Sequence, residues 1–206
     1  QNGDSLLYVK ELGAGISIYN LLMNQRLVFT YGEVVGMKGF VKRESKQSPL
    51  NVQFIIDALS SKDKTKPPTK FDVKIYNLVI RKSELSYDVL DQPRKADGFD
   101  ANHIHITNLR ADVALPRIKN NDFVVDVKRI SFEECCGINL KNLATMVKLN
   151  DKELALLNTR IELPNSVVKS DSIGVSLNGI ANLAADIKQN VTELRLDDIR
   201  ITPSDL

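Results

Sequence analysis

Six side chains hold most of the reactive chemistry in this sequence: His103 and His105, two residues apart, and the run Glu133-Glu134-Cys135-Cys136. In an extended strand, alternate residues share a face, so the two imidazoles project from one side and make half of a metal-ligand set. A zinc site needs a third and fourth ligand at recognisable spacing, and none follows. There is no HExxH helix, no glycine-rich phosphate loop and no nucleophile elbow. The plainer reading places both histidines on the wet face of an amphipathic strand. Adjacent cysteines make a strained disulfide, so one thiol is expected buried and the other facing out of a strand. Glu133 and Glu134 are expected in a solvated turn. The chain is therefore expected to be no enzyme and to use no metal or cofactor.

The elements carrying these residues follow one recurring pattern, apolar-x-apolar-x-polar-apolar-x-apolar. Val73, Ile75, Leu78 and Ile80 carry it around Asn77, and Ile104, Ile106, Leu109 and Ala111 around Asn108. Val125, Val127, Ile130 and Phe132 repeat it with Arg129 at the polar step; Ile138, Leu140 and Leu143 with Asn142; Val175, Leu177 and Ile180 with Gly179; Leu194, Leu196, Ile199 and Ile201 with Asp198. At the helical period these positions split between opposite sides, so they are strand positions. A straight strand would also split them, which predicts one extra residue, a β-bulge, at the polar step. Asn77 and Asn108 are expected at such bulges. The intervening residues are polar, giving one greasy and one wet face.

With 206 residues and a net charge of +2, its charges interspersed, the chain has no electrostatic footprint for nucleic acid. No long apolar run and no charged-then-apolar leader is present, so the chain reads as soluble. Gln1 opens in polar sequence and Asp205-Leu206 directly follow a strand motif, so both ends are expected to be cuts through something longer. Asn190-Val191-Thr192 fits a glycosylation triplet, a pattern that arises by chance.

Along the chain, residues 1–48 read as N-terminal strands (Leu6 to Lys10, Gly15 to Met23, Arg26 to Tyr31, Val34 to Val41). Residues 49–60 read as a helix, with Leu50, Phe54, Ile55 and Leu59 at helical spacing after Ser48 and Pro49. Residues 61–70 form a charged Lys/Pro linker, and 71–206 a degenerate β-repeat that continues past the end. The expected fold is mainly β: an elongated antiparallel sheet curled into an open groove, with one short helix near 49–60.

Three stretches, Asn51 to Leu59, the Lys/Pro linker with Val73 to Asp88, and Phe99 to Ile106 with Leu109, resemble the N-terminal part of the TamB family of translocation and assembly module subunits, within the AsmA-like superfamily. The resemblance spans roughly residues 50–206. It implies a longer periplasmic protein anchored in the inner membrane of a Gram-negative cell, with an apolar β-groove. It further implies phospholipid movement between inner and outer membranes and outer-membrane biogenesis beside a TamA-like insertase, reached through parts outside this stretch. It brings no catalytic residues.

On this reading Val73, Ile75, Leu78, Ile80, Ile104, Ile106, Leu109, Val125 and Val127 face acyl chains. A second reading is a scaffold whose strand edges template client proteins for assembly or secretion. A β-solenoid carbohydrate enzyme would need aromatic platforms that a chain without tryptophan does not offer.

Overall fold

The computed structural model describes residues 6–24, 27–53, 71–96, 98–119, 122–179, 186–187 and 189–205, with side chains described for all but 27, 71–75 and 117–119. The chain runs β1 (Leu7–Tyr8), β2 (Glu11–Ile16), α1 (Ile18–Asn24), β3 (Leu27–Val35), β4 (Lys38–Arg43), β5 (Phe71–Val89), β6 (His103–Lys119), β7 (Asp122–Glu134), β8 (Asn139–Leu149), β9 (Glu153–Glu162), β10 (Val167–Ser176) and β11 (Val191–Arg200). A 3-10 turn follows at Pro203–Asp205. The fold is mainly β, as the patterning predicts.

The strands form one open sheet in the order β1-β4-β5-β6-β7-β8-β9-β10-β11, with β3 beside β5 and β2 beside β3. It is mixed rather than wholly antiparallel: β4 and β5 run parallel, Lys38 opposite Glu84 and Arg43 opposite Val89. A parallel pair requires a long crossover, and residues 44–70 provide it. From residue 54 onward, the expected helix at 49–60 and linker at 61–70 lie outside the described residues. Before that point Gln53 N–H donates to the Leu50 carbonyl at 2.9 Å, a single turn.

The strand expected over Gly15 to Met23 is corrected. β2 stops at Ile16, and Ser17 caps α1: its Oγ accepts from the Asn20 N–H at 3.3 Å and its carbonyl from the Leu21 N–H at 3.1 Å. The Ile16, Ile18 alternation mimics a strand, but the cap satisfies donors that a helix start leaves open.

The chain divides into two units. The first comprises Gln1–Lys74, Ile80–Leu109 and Glu133–Gly137. Val28, Val89 and Leu109 are buried in it. Beneath them Ser83 is fully buried; its Oγ accepts from the Met37 N–H and donates to the Arg81 carbonyl, both at 3.1 Å. Ser83 follows Lys82, which has φ 50°. In β2, a Cβ on Gly15 would lie 2.9 Å from the Cβ of Tyr31, so the β2–β3 pair closes only over a residue with no side chain.

The second unit comprises Ile75–Val79, Arg110–Phe132 and Ile138–Leu206. Val79, Ala111, Val124, Val127, Leu140, Val175 and Leu177 are buried in it. Between the pairs Ala144–Arg160 and Met146–Leu157, β9 carries one residue more than β8. Asn158 there has φ 52°, the left-handed region that Asn tolerates. A bulge leaves backbone groups outside the ladder, and buried hydroxyls answer them. Thr145 Oγ1 donates to the Leu157 carbonyl at 3.3 Å and accepts from Thr159 Oγ1 at 2.8 Å. Ser170, opposite Thr159 on β10, donates to the Arg195 carbonyl at 2.6 Å.

The expectation of an irregular backbone, a bulge or a kink, at the polar steps holds in part. Asn108 has φ 52°, whereas Asn77 is not left-handed, and in β5 that conformation falls on Lys82. In β11 irregularities sit at Asp197, between the pairs Lys169–Asp198 and Ser170–Leu196, and at Thr192, between Gly174–Glu193 and Val175–Val191. Gly179, φ 98°, lies beyond the end of β10, so Val175 and Leu177 do not continue through it as one strand.

Candidate functional site

The apolar positions come first. Leu109 and Val127 are buried, while Leu78, Ile80, Ile104, Ile106 and Val125 are half-buried. The side chains of Val73 and Ile75 lie outside the described residues. Val79, Ala111 and Val124 are buried as well. Val79 and Val124 escaped the pattern because each sits at an offset that alternation alone assigns to the wet face. Alongside these, α1 buries none of its residues, and Ile18, Tyr19, Leu22 and Met23 are more than 60 % exposed.

The second feature is polar and lies wholly in the first unit. The β5–β6 loop, the start of β6 and the turn after β7 border an open pocket of ≈ 290 Å³ lined by Arg94, Lys95, Ala96, Gly98, Asp100, His103, Cys135 and Cys136. The His103 ring, 9 % exposed, lies 2.8 Å from Asp88 Oδ1 through Nδ1 and 2.9 Å from the Gln92 carbonyl through Nε2. A carboxylate and a carbonyl both accept, so both nitrogens donate and the ring is an imidazolium. The bond to Asp88, then that to Gln92, raises its pKa above the ordinary histidine value. Neither nitrogen keeps a lone pair for a metal. Arg94 Nη2 joins the same Asp88 oxygen at 3.0 Å. Asp100 accepts from the backbone N–H of Lys95 and Asn102, both at 3.0 Å, which hold its carboxyl below the usual range.

Glu134 is the correction at this site. Instead of standing in a solvated turn it is 7 % exposed at the last position of β7. Burial alone would push its pKa up. The hydrogen bonds it accepts outweigh that: from Cys136 through thiol and backbone N–H (the latter 2.7 Å), from the Cys135 thiol at 3.1 Å and from the His105 N–H at 3.2 Å. Together they hold the carboxyl down to about 2. The cysteines are corrected with it. Both lie in the turn after β7, Cys135 exposed and Cys136 half-buried, so neither is the buried strand thiol expected. The Glu134 carboxylate pushes the Cys135 thiol above its ordinary value, away from the thiolate that a nucleophile needs.

His105 is exposed, so the two histidines occupy different environments on one strand. Glu133 is exposed, as expected, but it lies in β7 rather than in a turn, and it accepts from Asn108 Nδ2 at 3.0 Å. Among the described residues, no group of three or more His, Cys, Asp or Glu side chains is placed to hold a metal ion, and no helix is long and apolar enough to cross a membrane. Asn190, head of the glycosylation triplet, donates from its amide to Asp186 at 2.9 Å. No protein-family model, curated protein or solved structure matches this chain.

Proposed function

We propose that the chain is a non-enzymatic segment of a TamB/AsmA-like envelope protein, in which the apolar sheet face carries phospholipid acyl chains between inner and outer membranes. In this reading it works in the periplasm, its parent is anchored in the inner membrane, and any TamA-like insertase engages parts outside this stretch. The observation that carries the proposal is the half-burial of Leu78, Ile80, Ile104, Ile106 and Val125. A sandwich core would cover such residues completely; a face that takes up acyl chains leaves them reachable. The engagement of His103 by Asp88 and Gln92, and of the Cys135 thiol by Glu134, supports the non-enzymatic half of the reading.

Ile104→Asp tests it. A charge on a face that acyl chains must cross costs several kcal/mol if it stays dry and ionised, yet at a half-buried position the fold tolerates it. The expected outcome is a folded protein by circular dichroism that has lost the phospholipid co-purifying with the wild type, read by mass spectrometry. A variant that unfolds, or one that retains its phospholipid, refutes the proposal.

A further inference from the structure

The turn after β7 carries an inference that goes beyond lipid carriage and stands without it. Gly137 N–H donates to the Glu134 carbonyl at 3.0 Å, which makes Cys135 and Cys136 the two central residues of a β-turn. In a strand, neighbouring side chains point to opposite faces. In this turn both thiols reach one group: each donates to the Glu134 carboxylate, Cys135 at 3.1 Å. The backbone here is pinned from two sides. Cys135 N–H donates to the His105 carbonyl at 3.1 Å, and Cys136 N–H to Glu134 Oε2 at 2.7 Å. Neither sulfur is in a disulfide, Cys135 is exposed, and both residues line the open pocket beside the β5–β6 loop.

Two sulfurs that share one acceptor lie within reach of a single bound atom. Sulfur selects soft ions, and the number of donors selects among them. Zinc takes four ligands, and among the described residues no three His, Cys, Asp or Glu side chains are grouped to hold a metal ion. Both nitrogens of His103 already donate, and Glu134 accepts a backbone N–H on each oxygen, Oε1 from His105 and Oε2 from Cys136. What is left is a pair of thiols, which suits a soft ion satisfied by two sulfurs. The expectation of no metal rests on the lack of a third and fourth ligand, which such an ion does not need.

We infer that Cys135 and Cys136 form a two-sulfur site for copper(I), held between the two central side chains of the turn. Binding breaks both S–H bonds and forms two copper–sulfur bonds; the two protons leave to solvent, and nothing is oxidised or reduced. Glu134 holds the Cys135 thiol above its ordinary pKa, which disfavours a nucleophile but not an ion that displaces the proton itself. The carboxylate gives up two thiol donors, which are weak, and keeps the N–H groups of His105 and Cys136. Two thiolates and one copper(I) carry one negative charge together. Arg94, Lys95 and His103 line the same pocket against one lining acid, Asp100, and offset it.

The test uses the full 206-residue chain, reduced and free of oxygen, with copper(I) alone as the probe, titrated against a chromogenic copper(I) chelator. One copper(I) per chain is expected to resist the chelator. Cys135→Ser and Cys136→Ser are each expected to lower the affinity by about a hundredfold or more, and the double replacement to leave no bound copper. Serine still donates to Glu134, so the turn keeps its hydrogen bonds, and circular dichroism confirms that each variant folds. X-ray absorption of the wild-type complex is expected to show two sulfur neighbours and no nitrogen or oxygen at bonding distance. Between about pH 6 and pH 7 the affinity is expected to rise about a hundredfold, because two protons leave for each ion bound. A wild type that yields all its copper to the chelator overturns the proposal, as does a single-serine variant that binds as tightly as wild type. A third neighbour in the absorption spectrum overturns the two-sulfur set. Each of these results leaves the lipid reading, whose own test reads phospholipid, where it stands.

Discussion

Replacing Glu134 by glutamine removes a charge and keeps the shape, which isolates what the carboxylate does. The group accepts from the backbone N–H groups of His105 and Cys136 and from the Cys135 thiol, and lies almost wholly out of water. Hydrogen bonds to a charged acceptor contribute roughly 1.5–3 kcal/mol each and neutral ones about half that. The amide oxygen of glutamine can still serve part of this set. Glu134→Gln is therefore expected to cost about 2 kcal/mol at pH 7, and Glu134→Ala, which leaves two part-buried N–H donors without this acceptor, about 2–4 kcal/mol. The acid limb gives the sharper readout. The folded carboxyl titrates at about 2, below its ordinary value of 4.5. Its stabilisation is thus complete above about pH 4.5 and disappears as pH falls through the folded value. Thermal melts followed by circular dichroism between pH 7 and pH 2 should show wild type losing stability in that window, and Glu134→Gln should show a flatter profile. Identical melting temperatures and identical acid limbs for the two proteins would refute the reasoning.

His103 has a raised pKa, so its contribution to stability is complete below about pH 6.5 and is lost as pH rises through its folded value; nitrogen-correlated NMR should find both ring nitrogens protonated at pH 6.5. Thr159→Val, which removes a hydroxyl held between Thr145 and the β8–β9 bulge, is expected to cost about 1–2 kcal/mol by denaturant titration, and Ser83→Ala a similar amount. At Asn108, with φ 52°, glycine should be tolerated and valine should cost about 1–2 kcal/mol in the same assay.

The β class was legible because period-two patterning survives tertiary context; a single greasy face was not, since Val79 and Val124 are buried at the offset that alternation assigns to the wet face. The left-handed kink at Asn108 was legible because Asn is one of the few residues at ease with φ above zero. Lys82 takes the same conformation without any such signature; the Ser83 that follows it is buried and accepts from the Met37 N–H, a contact between residues far apart in sequence that no local pattern announces. The same applies to Glu134. An acid beside two cysteines reads as surface until the neighbouring strand places the His105 N–H against it. The parallel β4–β5 pair depends on where a crossover lands, which no local pattern encodes. α1 could have been found, since Ser17 followed by Asn20 is a cap signal, but a seven-residue helix gives alternation little room to fail.

From β5 to β11 each strand lies beside the strand that precedes it in the chain. Every hairpin can therefore close on a partner already laid down, and sequence separation between partners stays short, which favours rapid formation of structure. β4 is different, because its parallel match with β5 waits on the whole of residues 44–70 and carries the entropy of closing that loop. A chain emerging from its N-terminus would thus hold β1 to β4 without their main neighbour until β5 appears. From there the sheet would grow one hairpin at a time, with the order of synthesis serving as the order of assembly.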